Sequence, residues 1–514
     1  MVSDGRTTKF LKNALSAALF QIVNMACGMI TPRFMLLAYG SEINGLVTSI
    51  AQFLSTLAVV EAGLGVVAQQ SLYKPLAEKD YDKVSAIVSG ARIAYNQVGY
   101  LFTGLSVVLA FLYPFFAGIE NMSYGLVAVL VMVLSVQSAL QFFLLSKYQA
   151  LFQADQKVYV ISLAKIITRV INTVCIIVMS TLGAHILLMR IVVTSSIFIQ
   201  AFIIWMYAKK NYNFIKYKAN PDKSGLNQRW DAFYLSILGS VQNNAPGIIL
   251  TIFVSLQMVS VYTVYNMVFA ALMGILGIFM NGVNASFGNL LQSNEKDKTK
   301  DIYAEFENAY YVLITIVYSV AMIMISSFVK LYTSGITDTN YLLPGLGFLF
   351  ALNGFTYNIK TPQGMMVQAA GLFRKTRLQN TIQAAILFVG GMVLGYFWGI
   401  YGVVLAAIAS NSYRVIDLLF FIPKHVLNDS PVGSIRRCCL MLLCSVVLYL
   451  IGKLCLSAFT VDNYFEWIIA AIIVTMLVAI CVGVVDFIFE RKNFVRIINR
   501  VLSMFRRKKN VRVE

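Results

Sequence analysis

Charge is what this sequence has least of. Only 12% of its 514 residues are Asp, Glu, Lys or Arg, and just 23 are acidic. A soluble domain carries about 25% charged residues, so there is no room here for a large soluble domain. Histidine is nearly absent: His185 and His425 both fall near predicted helix ends, and neither is given a role. The seven cysteines lie in or beside apolar segments, and none has metal-ligand spacing with a histidine. They read as small buried hydrophobes, and no metal site is expected. Catalytic motifs are missing too. There is no G-x-x-x-x-G-K-[ST] phosphate loop, so the chain carries no ATPase of its own. There is no H-E-x-x-H, no dinucleotide fingerprint and no nucleophile elbow. No outer loop is long enough for the extracellular catalytic domain of a polymerase or ligase. The expectation is a protein that is not an enzyme and takes no cofactor.

Apolar sequence is what fills the chain. Hydrophobic residues make up 59% of it, and the mean hydropathy is +0.74. A bilayer-spanning helix needs about 20 apolar residues. About fourteen such spans can be laid out, at 12–38, 44–72, 85–116, 123–151, 158–182, 185–207, 231–256, 260–290, 303–330, 341–369, 378–399, 402–422, 438–459 and 464–488. The expected class is an all-α polytopic membrane protein. Arg6, Lys9 and Lys12 precede the first apolar run, as in a signal peptide. That run continues to about Tyr39 without a small-x-small cleavage site, so it reads as a retained first span.

The net charge of +18 would suggest nucleic acid in a soluble protein. Its distribution says otherwise. Loops on one side (1–12, 74–83, 147–157, 208–229, 292–301, 374–377, 424–437 and 491–514) hold 32 of the 41 basic residues. By the positive-inside rule that side is cytoplasmic. Both termini are then cytoplasmic and the number of spans is even. The tail RRKKNVRV is expected to lie against anionic membrane lipid, and nucleic acid is not expected as a partner.

Nine cations remain in or near the spans. Lys330 and Lys453 can snorkel to the outer interface, and Arg190 lies close enough to its helix end to do the same. Arg33, Arg92, Lys165, Arg169, Lys360 and Arg414 are harder to place in lipid. The clearest case is Val158–Leu182. Arg169 sits roughly 16 Å from the start of that helix, near the middle of a hydrocarbon layer of about 30 Å. A cation there costs about 2.5–3.5 kcal/mol. Ser162, Lys165, Arg169, Asn172 and Thr173 follow i, i+3, i+4 spacing and share one face. Such a face must meet water or partners inside a bundle, and the natural cargo of a cationic interior is an anion. Arg414 has Asp417 three residues on and can pair with it locally. Glu61 and Asp417 are candidates for coupling an ion, though each looks too isolated to form an acid/base pair.

An internal repeat runs at an offset of 217 residues. Ala-Glu-Lys-Asp at 77–80 recurs as Asn-Glu-Lys-Asp at 294–297, Gly65 falls on Gly282, and Lys157 falls on Arg374. The expected organisation is an N-lobe at 1–207, a basic cytoplasmic linker at 208–230 and a C-lobe at 231–423. Two further spans follow within 424–490, then a basic cytoplasmic tail at 491–514. The two six-helix lobes are pseudo-symmetric about an axis along the membrane normal, and a cavity between them can open to either side by rocking. Polar stripes suit such a cavity: Gln52, Ser55 and Thr56; Arg92, Tyr95, Asn96 and Gly99; Ser236, Ser240, Asn243 and Asn244; Asn353, Tyr357 and Lys360. Pro32 and Pro246, in the first span of each half, are expected to kink it.

Two stretches carry a resemblance. RFMLLAYGSEINGLVTSIAQFLSTLAVVEAGLGVVAQQSLYKPLAEKDYDKV, beginning at Arg33, and YQALFQADQKVYVISLAK, ending at Lys165, resemble bacterial polysaccharide repeat-unit flippases of the Wzx type. These belong to the multidrug/oligosaccharidyl-lipid/polysaccharide (MOP) exporter superfamily. The resemblance implies a MATE-like fold of two six-helix lobes plus two C-terminal helices, in the bacterial cytoplasmic membrane. It implies flipping of undecaprenyl-pyrophosphate-linked oligosaccharide units from the inner to the outer leaflet, by alternating access, for polysaccharide export. Polysaccharide polymerase and glycosyltransferases are the implied partners. The residues fit this independently, because pyrophosphate wants cations and Arg offers a bidentate fork. The candidate substrate-binding set is Arg33, Arg92, Lys165, Arg169, Arg190, Lys360 and Arg414. Two other readings stay open: a drug/cation antiporter of the same fold, and a non-transporting membrane assembly protein.

Overall fold

The computed structural model describes residues 6–119, 122–215, 230–292, 296–372, 374–456 and 461–510. Every regular element among them is helical. Most of the linker expected at 208–230 and the last residues of the tail lie outside the described residues, as does part of the second repeat copy at 294–297. Among the described residues ten helical stretches are long and apolar enough to cross a membrane. One of them, Thr8–Glu78, has 71 residues, about three times what a single crossing needs. Large apolar side chains such as Phe111, Phe115, Phe202 and Ile480 stand on the outer surface. With no water-loving coat, that surface suits lipid.

Packing divides the chain into two units. The first comprises Met1–Met267 and Gly335–Thr339; the second comprises Val268–Ser334 and Asn340–Glu514. The boundary falls inside one long helix, Leu256–Gln292.

The first unit begins with α1, Arg6–Leu57, whose non-helical residue is Gly40 (φ 79°, ψ 174°). The expected kink at Pro32 is thus displaced to Gly40, which alone can take that backbone conformation without a Cβ clash. Asp338 caps the restart, accepting from the Ser41 amide at 2.6 Å and the Ser41 hydroxyl at 2.7 Å. A 3-10 turn, Ala58–Glu61, then leads into α2, Leu64–Glu78, with Gly63 left-handed at φ 88°. The span expected at 44–72 is therefore broken in its middle. Next come α3 (Tyr81–Phe116) and α4 (Tyr124–Leu140). A π turn over Gln141–Leu145 joins α4 to α5 (Ser146–Ala154). α6 (Val158–Thr181) matches the expected span and packs along α1. α7 (Ile186–Ser195) and α8 (Ile197–Asn211) complete this part. α9 (Trp230–Phe253) runs straight through Pro246 as one helix and packs on α1, and α10 is Leu256–Gln292.

The second unit contains α11 (Lys296–Tyr332), α12 (Leu346–Ile359), α13 (Thr361–Ala369) and α14 (Arg377–Ile422). α14 bends at Gly399 (φ 56°), between the two spans expected at 378–399 and 402–422. α15 (Val432–Leu456), α16 (Tyr464–Phe489) and α17 (Arg491–Asn510) end the chain. α17 is strongly two-faced. Arg496 pairs with Asp301 at 3.1 Å and Arg500 with Glu305 at 2.8 Å, so α11 claims two of the tail's cations. The cysteines correct an expectation: all seven are free, and only Cys27 is buried, while Cys439, Cys455 and Cys481 stand on the helix exterior.

Candidate functional site

In the first unit the site is built on α6. Its polar face is turned inward as the spacing requires: Ser162, Thr168, Asn172 and Thr173 are buried, and Lys165 and Arg169 half-buried. Thr173 meets the Thr31 hydroxyl of α1 at 3.5 Å. Lys165 Nζ stands 5.9 Å from the centre of the Phe20 ring. Thr168 Oγ1 donates back to the Ala164 carbonyl at 2.9 Å, but two polar atoms of this face are not consumed by protein contacts. Arg169 Nε and Asn172 Oδ1 are buried with no hydrogen-bond partner among the described residues. Such atoms are costly unless something else satisfies them.

Glu61 is less isolated than its sequence context suggests. The break between α1 and α2 places it opposite Lys165, within bonding reach of the Ser146 hydroxyl and beside Tyr95. Four segments thus bring a carboxylate, an ammonium, a hydroxyl and a phenol together. The break itself follows from Gly63, whose left-handed backbone ends the helical hydrogen-bond ladder. A broken helix inside a membrane is tolerated where it is buried in protein or lines a cavity.

The other cations of this unit are dispersed. Arg33 is half-buried on α1, and Arg92 on α3 lies near Lys147. Arg190, on α7, donates to Met35 Sδ at 3.4 Å and lies close to Tyr39, while its Nε is buried without a partner. Snorkelling of Arg190 therefore does not describe its Nε.

In the second unit Lys360 occupies the junction of α12 and α13. Pro362, lacking an amide hydrogen, sits in the first turn of α13 and fixes the restart there. Lys360 Nζ donates to Asn411 Oδ1 at 2.6 Å and stands 4.7 Å over the Tyr357 ring. Asn411 Nδ2 donates to Asn353 Oδ1 at 2.9 Å, and Gln383 Nε2 reaches Asn411 Oδ1 at 3.4 Å. One turn along α14, buried Arg414 is bonded to Asp417. Sequence spacing had offered Asn353, Tyr357 and Lys360 as a stripe and Arg414 with Asp417 as a local pair. It had not offered Asn411 or Gln383, through which the stripe is joined to α14. The run Ser410-Asn411-Ser412 inside an otherwise apolar stretch was the available signal.

The structure therefore unites Glu61 with Lys165 in one unit, and Lys360 with Asn411 near Arg414 and Asp417 in the other. Among the described residues no cluster of His, Cys, Asp and Glu is arranged to hold a metal ion.

No family model and no curated protein matches the sequence. Solved structures do match. A multidrug-resistance MATE family transporter of the MOP superfamily, inward-facing, aligns at 14% identity over 80% of this chain and 98% of its own, with a TM-score of 0.63. The lipid II flippase MurJ, in an inward closed conformation, aligns at 14% identity over 92% of this chain and 99% of its own, also at 0.63. A MOP superfamily transporter from Pyrococcus furiosus, described as having a binding pocket of reverse polarity that suggests a different function, aligns at 13% identity over 82% and 97%, at 0.52. At these identities the likeness speaks for architecture: the chain has the all-helical fold shared by MATE transporters and the lipid II flippase MurJ.

Proposed function

We propose that this protein is a flippase for lipid-linked oligosaccharide. It carries undecaprenyl-pyrophosphate-linked repeat units from the inner to the outer leaflet of a bacterial cytoplasmic membrane, by alternating access through a cationic cavity, for polysaccharide export. The observation that carries the reading is the open polar face of α6, where Arg169 Nε and Asn172 Oδ1 are buried without partners beside Lys165. A pyrophosphate satisfies an open guanidinium with a charge-assisted bond, and a sugar hydroxyl can satisfy an amide oxygen. Arg33, Arg92 and Arg190 add positive charge from α1, α3 and α7, and Lys360 with Arg414 supplies it in the second unit. The broader match to MurJ, which takes in more of this chain than the MATE match does, supports a lipid-linked cargo over a free drug.

Glu61 is the proposed coupling-ion group, because a helix break holds it within electrostatic reach of Lys165, where a change of protonation is felt by the cation. Asp417 is the weaker candidate, being bonded to Arg414. The drug-antiporter reading wants an unneutralised interior carboxylate, and Glu61 faces an ammonium.

The test is the leaflet location of labelled lipid-linked oligosaccharide. Depletion of the protein should trap repeat units on the cytoplasmic face. Arg169→Gln, at normal protein level, should do the same. Unchanged outward appearance in both, with surface glycan intact, removes the proposal. Trapping on depletion but not in Arg169→Gln keeps the flippase and removes the role of Arg169.

A further inference from the structure

Where α11, α15 and α16 meet, the second unit buries three carboxylates. Glu307 on α11, Asp486 on α16 and Glu490 just beyond it are 0%, 2% and 6% exposed. Two arginines of α15 face them. Arg437 donates to Glu307 Oε2 through Nη2 at 2.6 Å and Nε at 3.0 Å, and reaches Glu490 Oε2 at 3.8 Å. Arg436 is bonded to Glu490 and is itself exposed. Glu307 also accepts from Ser434, Gln363 and Tyr303. Glu307 and Glu490 are thereby each answered by a cation. Asp486 forms no ion pair among the described residues, and the cluster is one positive charge short.

The second observation is Asn308, which is fully buried. Its Nδ2 is shared between the two oxygens of Asp486, at 3.0 and 3.2 Å, while its Oδ1 has no hydrogen-bond partner. An ionised carboxylate can only accept, so it leaves that amide oxygen orphaned and repels it. A neutral carboxyl changes the outcome. A small tilt of the amide then forms a paired acid–amide ring, in which the carboxyl O–H donates to Oδ1 and Nδ2 donates to the carboxyl C=O. The orphaned Oδ1 then has its donor, and the missing positive charge is one proton.

We propose that Asp486 is a proton-binding site. A proton from water arrives beside exposed Arg436, adds to one Asp486 oxygen, and is shared with Asn308; no other bond forms or breaks. The groups that act on Asp486 are Arg437 from α15, Asn308 from α11 and Glu490 just beyond its own helix; the Cys438 thiol of α15 lies by Glu307 instead. From α17, Asn493 donates to Glu490 at 2.9 Å. Loss of the proton leaves a bare carboxylate between α11 and α16, so the packing of α16 becomes dependent on pH. The inference is independent of the transport reading.

Infrared difference spectroscopy of the purified full-length protein in lipid nanodiscs tests it. The carbonyl stretch of a protonated carboxyl should be present at neutral pH, fade on alkalinisation and be lost in Asp486→Asn. Asparagine has the shape of the neutral acid, so that variant should fold. In Glu490→Gln a repelling charge is gone, and the band should fade at a pH lower by about one unit. That second variant decides the matter even where the first does not fold. A band that survives Asp486→Asn, a midpoint unmoved by Glu490→Gln, or no carboxyl band in the unmodified protein overturns the proposal.

Discussion

Gly45 and Leu256 touch backbone to backbone: a Cβ added at Gly45 would fall on the Leu256 carbonyl oxygen. Hydrogen bonds clamp the approach on either side. Asn44 Nδ2 donates to Ser260 Oγ at 2.6 Å, and the Ser49 and Thr251 hydroxyls meet at 2.5 Å. Close helix approach through a small residue is how membrane helices gain packing energy when lipid is as apolar as the side chains. Gly45→Ala should therefore destabilise the first unit by about 1–3 kcal/mol, the usual cost of overpacking. Thermal unfolding in detergent checks this, and a midpoint equal to that of the unmodified protein would contradict the close approach.

Asp155, in the short connection between α5 and α6, ties the start of α1 to the end of α8. Its Oδ1 accepts from Lys9 at 3.2 Å, and its Oδ2 from Lys157 at 2.8 Å and the Tyr212 hydroxyl at 2.6 Å. Burial pushes the carboxyl upward, but the bonds from Lys157 and Tyr212 and the charges of Lys157 and Lys9 together outweigh it and hold it below the usual carboxylate range. A depressed folded-state value means that the stabilisation is fully present above the unfolded value of about 3.9 and is lost as pH falls through the folded one. Asp155→Asn should cost about 1–3 kcal/mol at neutral pH. The gap from the unmodified protein should close as the solution is acidified below the unfolded value. Unfolding midpoints measured across that range give the answer.

The parts of this fold that a period and a charge can report were readable in advance. α6 starts where its apolar run starts, and its polar face could be drawn from spacing, because a helix repeats locally and a cation in lipid is expensive. The break at Glu61 was hidden, since EAGLGV remains apolar on average and hydropathy does not report where a backbone ladder ends. For a similar reason the sequence points to Pro32 for the kink that falls at Gly40: proline is the commoner breaker, yet here it lies within continuous helix. The Glu307–Arg437 pair joins positions 130 residues apart. The sequence places Arg437 in a cytoplasmic loop at 424–437, and a charge counted for topology carries no information about its partner.

That pair makes its own prediction. Arg437 and Glu307 are both buried, at 8% and 0% exposure. Removing one partner strands the other's charge, so Arg437→Ala should cost about 3–5 kcal/mol and lower the amount of folded protein. Replacing both, with Arg437→Met and Glu307→Gln together, leaves no bare charge and should recover most of that loss. Membrane abundance and unfolding midpoints of the two variants distinguish this from independent losses, in which the double variant would be the worse of the two.

Lys360 separates a structural role from a transport role most cleanly, because its contacts are few and known. Its Nζ bonds Asn411 at 2.6 Å, and its other donors point toward no carboxylate within ion-pair distance among the described residues. Lys360→Gln keeps a donor for Asn411 and removes the charge. If the ammonium serves an anionic cargo, flux should fall while abundance holds. A charge-assisted contact is worth about 1.5–3 kcal/mol, or roughly ten- to a hundredfold in rate. Asn411→Leu removes the tether and keeps the charge, so it should lower flux less than Lys360→Gln does. Outward appearance of labelled lipid-linked oligosaccharide, normalised to protein level, reads both. Equal losses in abundance and flux in the two variants would instead make Lys360 a packing element of the break between α12 and α13.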